Sequence, residues 1–228
     1  MKYIIVGLGS FGASLAEKLT EQGNEVIGID TSMHKVENYK ERITHTICMD
    51  ATDEVTVVGL PLKETDVVII TIGENKGVNV MATALFKNLQ VKKLISRSID
   101  PLHENVLDAI GVDEIVRPEE ESAARWAKKL SLKEVVDSFE LNSDYCIVEV
   151  KVPEKFHGKT IKEIDVRKNY NLLVLTTIGS VVEKSLVGKT KNVTKVRGVA
   201  NPDDVLTKED ILVIYGSNKN IKRFLKDD

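Results

Sequence analysis

Three glycines near the start of the chain have the type and spacing that phosphate recognition requires. Gly7, Gly9 and Gly12 follow an apolar run at residues 3–6, and an amphipathic segment begins directly after them. Glycine permits a tight turn at Gly7, close approach of the backbone at Gly9 and close packing of a helix on a strand at Gly12. The unpaired N–H groups at the start of such a helix attract an anion. The pattern therefore predicts a nucleotide-binding turn.

An acidic residue ends the next apolar run, residues 26–29. Asp30 follows Gly12 by eighteen residues, where dinucleotide-binding folds place a carboxylate that accepts hydrogen bonds from the ribose 2′,3′-diol. Its negative charge would repel an adenosine 2′-phosphate, so we expect NAD in preference to NADP. The alternative is a doubly wound fold that uses these glycines for packing alone.

Further candidates follow from the rule that ligands bind at the carboxyl ends of strands in an open parallel sheet. Asp50, Ala51 and Thr52 follow the third predicted strand, where they would meet an adenine edge or a ribose. Arg97 follows the fifth predicted strand, where it would either meet the phosphates or form an ordinary ion pair. The complete set of predicted nucleotide-binding residues is Gly7, Leu8, Gly9, Ser10, Phe11, Gly12, Asp30, Thr31, Asp50, Ala51, Thr52, Ile72, Gly73, Glu74 and Arg97.

The elements that must position these residues alternate between strand and helix up to about residue 117. Short apolar runs without alternation are typical of parallel strands that are covered by helices on both faces. The predicted strands are 2–7, 25–29, 45–49, 66–72, 93–96 and 114–116, and the predicted helices are 11–22, 32–40, 53–59, 76–89 and 101–110. This pattern predicts an α/β fold with a Rossmann-like, doubly wound parallel sheet of six strands.

A helix is predicted at 118–130, and Trp126 on this helix would pack against another domain or subunit. The pattern of secondary structure changes after this helix. Short strands separated by turns favour a small α+β domain over continued βαβ winding. We therefore predict a nucleotide-binding domain at 1–133, including the linker helix, and a second domain at 134–228. The strands predicted in the second domain are 136–141, 145–152, 172–178, 181–184 and 211–215, with helices near 160–164 and 218–226.

Composition and charge argue against several other classes of protein. The net charge is −3 and no basic block occurs, so we expect no nucleic-acid binding. No apolar run is long enough to cross a bilayer, and the chain enters a strand at once without a signal peptide. Cys48 and Cys146 lack metal or redox spacing. These features predict a cytoplasmic protein without direct membrane insertion.

The histidines form no pattern that indicates catalysis. His34, His45, His103 and His157 are scattered, and none is paired with a cysteine, serine or acid at the spacing of a proton relay or metal site. We therefore expect no catalytic residues and no enzymatic activity. A small NAD-dependent oxidoreductase is the alternative function, and a scaffold subunit with a permanently bound nucleotide is a third.

Several segments taken in order resemble the TrkA/KtrA family, which combines an RCK_N domain with an RCK_C domain. The segments are GLGSFG, Asp30, DATDE, TIGEN, RPEE and NPDDVLTKEDILVIYGS, and the resemblance covers essentially the whole chain. It implies a cytoplasmic regulatory subunit of a bacterial potassium-uptake system. Such a subunit forms homo-oligomers, as dimers or octameric rings, at the inner face of the membrane. A bound nucleotide would rearrange the ring and thereby gate an integral-membrane potassium-translocating subunit.

The resemblance also extends to individual residues. Glu119 matches a family glutamate that holds a cation between subunits, although a first-turn helix acid needs no such role. Ser10 stands where ATP-responsive relatives carry an arginine, which favours NAD(H), ADP or AMP over ATP. Val166 and Arg167 resemble the segment at which some relatives bind cyclic di-AMP, and a plain surface role for Arg167 is the alternative.

Overall fold

A computed structural model describes residues 1–132, 134–184 and 190–226, which form two compact units, Met1–Glu120 and Glu121–Asp228. The first unit contains a six-stranded parallel sheet in the order β3-β2-β1-β4-β5-β6, which confirms the predicted Rossmann-like fold. Its strands are β1 (Lys2–Val6), β2 (Glu25–Asp30), β3 (His45–Cys48), β4 (Val67–Ile70), β5 (Leu94–Arg97) and β6 (Glu114–Val116). Its helices are α1 (Ser10–Glu21), α2 (Met33–Tyr39), α3 (Glu54–Val57), α4 (Lys76–Asn88) and α5 (Pro101–Ile110).

The last three residues of the central strand β1, Ile4–Val6, are apolar and buried because helices cover both faces of the sheet. Ile4 and Val6 pack in one buried cluster with Phe86, whereas Ile5 packs in a second cluster with Ala13. Successive side chains of a strand point to opposite faces, so a strand buried on both sides needs no polar alternation. This burial brings the carboxyl ends of β1 and β4 together at one edge of the sheet.

A helix α6 (Pro118–Ser131) spans the boundary between the two units. Trp126 on this helix is exposed, with the Lys129 ammonium 4.9 Å from the centre of its ring. The predicted division into domains at residue 133 stays a prediction. Among the helices of the described residues, none combines the length and the apolar character needed to span a bilayer.

The second unit contains a five-stranded antiparallel sheet in the order β10-β9-β11-β8-β7. This arrangement confirms the small α+β fold that the short strands predicted. Its strands are β7 (Val135–Glu140), β8 (Tyr145–Lys151), β9 (Leu173–Lys184), β10 (Thr190–Val196) and β11 (Ile211–Ser217). Its further helices are α7 (Ile161–Ile164), α8 (Val166–Tyr170) and α9 (Asn218–Lys226), and a short 3-10 turn lies at Glu154–Phe156.

Two details of the prediction for this unit were wrong. The strands predicted at 172–178 and 181–184 are a single strand, β9, which passes through Gly179 without a break. The Arg197 guanidinium occupies the space where a Cβ at position 179 would lie. The glycine therefore admits a neighbouring side chain and does not end the strand. Strand β10 and helix α8 were not predicted at all.

Candidate functional site

A cavity of about 260 Å³ opens at the carboxyl ends of β1, β2 and β4, where an open parallel sheet binds its ligands. Nine of the predicted nucleotide-binding residues line it, and most of them lie in the loops that follow these strands and β3. The lining residues are Val6, Gly7, Gly9, Ile29, Asp30, Thr31, Lys35, Met49, Asp50, Ala51, Thr71, Ile72, Gly73, Glu74, Asn75 and Val78.

The turn between β1 and α1 is held in place by backbone contacts. Gly7 has a φ of 103°, a conformation that side chains rarely adopt, and its N–H donates to the Ile29 carbonyl at 2.7 Å. Gly9 caps α1 with an extended backbone, and a Cβ built there would meet nothing within 4 Å. Because Gly9 has no side chain that could cap the helix, the first N–H groups of α1 are left for an external acceptor.

Gly12 has a packing role on the opposite side of the same turn. A Cβ at this position would overlap the Gly7 carbonyl oxygen and the Thr71 hydroxyl. That hydroxyl donates to the Val6 carbonyl at 2.9 Å and to the Gly7 carbonyl at 2.6 Å. Gly12 therefore lets α1 approach the ends of β1 and β4, and it does not line the cavity.

Asp30 lies at the edge of the cavity with its carboxylate held by three donors. Oδ2 accepts the Leu8 N–H at 2.8 Å and faces the Lys35 ammonium at 3.4 Å, and Oδ1 accepts the Ser32 N–H at 2.9 Å. The residue is 9% exposed. A carboxylate has about four acceptor positions, so one remains for a ligand hydroxyl in this arrangement.

Residues at the end of β3 form a second polar edge of the cavity. Asp50 Oδ1 accepts the Thr52 N–H at 2.8 Å and the Thr52 hydroxyl at 2.7 Å. These two hydrogen bonds hold the pKa of the Asp50 carboxyl below its ordinary value. Asp50 and Ala51 line the cavity beside Met49, whereas Thr52 is not part of the lining and fixes the turn through its hydrogen bonds to Asp50.

The loop after β4 rests on Arg97. An ideal Cβ on Gly73 would lie 2.5 Å from Arg97 Nη1, so a larger residue there would displace the guanidinium from its present position. Arg97 Nη1 also donates to the Thr71 carbonyl at 3.3 Å, and Nη2 forms an ion pair with Glu119 in the first turn of α6. Arg97 thus supports the loop from behind and does not line the cavity.

The remaining predicted residues also lie outside the cavity lining. The Leu8 side chain is buried in the core beside Ala13, so only its backbone contributes at the turn. Ser10 is the first residue of α1 and is exposed, and Phe11 is partly buried. No cluster of three potential metal ligands occurs among the described residues, Glu119 included.

The predicted set does not include seven of the lining residues. Lys35 is the most important, because it is the only basic side chain among the described residues around the cavity. It lies in the first turn of α2, directly after β2, and that proximity to a strand end was the signal that could have identified it. The residues outside the predicted set are Val6, Ile29, Lys35, Met49, Thr71, Asn75 and Val78, of which Asn75 directly follows the predicted Glu74.

Comparisons with known proteins show the family of this chain. Residues 3–118 match the TrkA-N domain family. The chain is 32% identical over 227 residues to "Ktr system potassium uptake protein C" of Bacillus subtilis (strain 168), covering 99% of this chain and 96% of that protein. It is 30% identical to "Ktr system potassium uptake protein A" of the same organism, over 98% of this chain and 95% of the relative.

A solved structure with a similar fold is the "GsuK channel bound to NAD". It matches 100% of this chain and 39% of its own chain, with a TM-score of 0.65 and 17% sequence identity. The chain therefore spans well under half of the GsuK channel, and at this identity the likeness concerns the fold.

Proposed function

This chain belongs to the TrkA-N domain family that includes the Ktr potassium uptake proteins, and we propose that it is a nucleotide-sensing regulatory subunit of a bacterial potassium-uptake system. In this role the chain binds a nucleotide in its first unit and passes the state of that site to a membrane subunit that translocates potassium. It acts in the cytoplasm, at the inner face of the membrane, as a homo-oligomer.

The observation that carries this proposal is the open glycine turn beside Asp30. The space at Gly9 and the first N–H groups of α1 suit a phosphate, and the free acceptor position of Asp30 suits a ribose hydroxyl. Asp50, Ala51 and Met49 lie along the cavity beyond Asp30, where they would contact the base. The three groups follow the order of phosphate, ribose and base in an adenine nucleotide.

The nucleotide we favour is NAD(H), ADP or AMP. NAD is bound in the GsuK structure of similar fold, and Ser10 provides no guanidinium for a terminal phosphate. A cation at Glu119 would have to compete with Arg97, which already pairs with that carboxylate. Cyclic di-AMP near Val166 and Arg167 stays a proposal from family resemblance alone.

The mechanism we propose is a shift between two conformations of the assembly. A nucleotide changes this equilibrium only through its different affinities for the two states. Coupling energies of this kind are about 1–3 kcal/mol per site, and a ring adds the contribution of each subunit. The exposed Trp126 on α6, outside the cavity, is one candidate for a contact with a neighbouring subunit.

The test begins with the nucleotide that co-purifies with the protein, identified by mass spectrometry. Calorimetry with NADH and ADP then compares the wild type with Asp30→Asn, which keeps an acceptor oxygen for the Leu8 N–H and loses the charge together with the acceptor for the Ser32 N–H. We expect at least a tenfold loss of affinity, about 1.4 kcal/mol, because the ribose loses a charged acceptor. Asp108→Asn, an exposed acid on α5, is the matched control and should bind like the wild type.

Two results would contradict the proposal. One is a wild-type protein that binds none of these nucleotides and carries none after purification. The other is a substrate-dependent change in nicotinamide absorbance, which would favour the alternative of a small NAD-dependent oxidoreductase. Small-angle scattering with each nucleotide in turn should also show two different shapes of the oligomer, because a switch requires two states.

A further inference from the structure

Lys35 gives the ribose end of the cavity a charge that the glycine motif does not predict. Its ammonium lies 3.4 Å from Asp30 Oδ2, and the two residues form an ion pair within the cavity lining. The other charged side chains of the described lining are Asp50 and Glu74, both acidic. Any attraction of these lining side chains for an additional phosphate on the ligand therefore comes from Lys35.

The hydrogen-bond and ion-pair partners of Asp30 change its effect on a 2′-phosphate. A free carboxylate at this position repels an adenosine 2′-phosphate and so selects against NADP. Here the charge is met by two backbone N–H groups and by the Lys35 ammonium. Opposite charges a few ångströms apart cancel much of each other's field at the distance of a ribose substituent. The repulsion expected from Asp30 alone is correspondingly reduced.

Lys35 is also placed so that it can respond to a ligand. Its side chain is 34% exposed, and Asp30 is its only salt-bridge partner among the described residues. Lysine has a flexible stem and a compact ammonium, which allows it to turn from a carboxylate to a nearby phosphate. Because α2 begins directly after the strand that ends in Asp30, the ammonium stays within the ribose end of the cavity.

We propose that Lys35 determines which substituents the site accepts at the 2′ position of the adenosine ribose. Its ammonium offsets the charge of Asp30 and binds a 2′-phosphate, so nucleotides with a 2′-phosphate and nucleotides with a free 2′-hydroxyl are both accepted. This inference rests on the proposed nucleotide site, and it removes the preference for NAD over NADP that Asp30 alone predicts.

The test uses two ligands that differ by one phosphate, 5′-AMP and adenosine 2′,5′-bisphosphate, titrated by calorimetry. The measured quantity is the ratio of the two dissociation constants, bisphosphate over AMP. We expect a wild-type ratio within about threefold of one and an increase of about tenfold in Lys35→Met, because that variant leaves the charge of Asp30 uncompensated. Lys35→Arg keeps a cation at the site and should leave the ratio within about twofold of wild type.

Lys40→Met is the matched control, because Lys40 follows the same helix and pairs with Glu37 outside the cavity lining. It removes the same charge and should not move the ratio. An unchanged ratio in Lys35→Met, or a wild type that already rejects the bisphosphate by more than about thirtyfold, would overturn the inference while leaving the nucleotide site intact. A wild type that binds neither ligand would overturn the nucleotide site and the inference with it.

Discussion

Gly9 and Gly12 belong to one motif, but the structure predicts that substitutions at the two positions impair different properties of the protein. At Gly9 the φ of −75° and ψ of −175° suit any residue, and a Cβ would project into open space at the cavity. At Gly12 a Cβ would overlap the Gly7 carbonyl and the Thr71 hydroxyl. Gly9→Asn should therefore impair ligand binding alone, and Gly12→Ala should impair folding.

The magnitudes follow from the two environments. Overlap with backbone atoms in a close-packed region costs about 3 kcal/mol, and the better helix propensity of alanine returns about 1 kcal/mol, so Gly12→Ala should lower the free energy of unfolding by about 2 kcal/mol. For a unit of this size that is a fall in Tm of roughly 8 °C. Gly9→Asn replaces one good N-cap residue by another, so its free energy of unfolding should change by less than about 0.5 kcal/mol.

Although Gly9→Asn should leave stability almost unchanged, it should weaken nucleotide binding. An asparagine side chain would fill the space above the turn and accept the first N–H groups of α1, which are the proposed phosphate donors. We expect the affinity for NADH and for ADP to fall at least tenfold, about 1.4 kcal/mol. Differential scanning calorimetry gives the stability of each variant, and isothermal titration gives its affinity.

The reasoning would be refuted by a Gly9→Asn protein that binds both nucleotides like the wild type. It would also be refuted if Gly9→Asn lost as much stability as Gly12→Ala, since the space around Gly9 would then be filled in solution. Gly23→Asn is a control for the general effect of replacing glycine with asparagine. Gly23 has a positive φ of 82°, which asparagine tolerates better than most residues, and its Cβ would meet nothing within 4 Å.

Two further predictions concern buried ionisable groups. Burial lowers the pKa of His103 despite the opposing effect of Asp100. The contribution of the neutral imidazole to stability is therefore complete above about pH 6.5 and is lost as the pH falls toward the lowered pKa of the folded state. In urea unfolding, His103→Leu should reduce this loss of stability between about pH 7 and pH 5, and an unchanged loss would contradict the prediction. Arg197→Met should lower the free energy of unfolding by about 2 kcal/mol, because the buried Asp210 loses its bidentate partner. Adding Asp210→Asn should recover part of that loss, and urea unfolding of both variants would show whether it does.

The parallel sheet could be predicted from sequence because its strands are buried on both faces. Residues 67–70, Val-Val-Ile-Ile, have no alternation that could be confused with another element, and all four are buried. Strand β10 has the opposite character. Its sequence, Thr-Lys-Asn-Val-Thr-Lys-Val, has few apolar residues because it lies at an edge of the antiparallel sheet, so it carries little hydrophobic signal.

The residues at the site are of two kinds: some belong to a short sequence motif, and others are positioned by contacts with residues distant in the sequence. Gly7 is required by its positive φ, and Gly9 leaves open space beside the start of α1, and a short motif encodes both features directly. Arg97 was predicted at the correct strand end, but the ion pair with Glu119 turns its guanidinium behind the Gly73 loop. The direction of a long side chain depends on partners that are distant in sequence, and no local pattern contains that information.

Asp30 illustrates the consequence for function. The identity and position of this acid are visible in the sequence, and taken alone they predict a site that rejects a 2′-phosphate. The effect of Asp30 on a ligand depends on the net charge near the ribose. Lys35 lies outside the motif, and its ammonium changes that net charge. Because electrostatic repulsion depends on all charges within a few ångströms, ligand preference belongs to the pair and cannot be assigned from the acid alone. The two residues should accordingly be substituted together as well as singly, since a non-additive effect on the affinity ratio would measure their coupling directly.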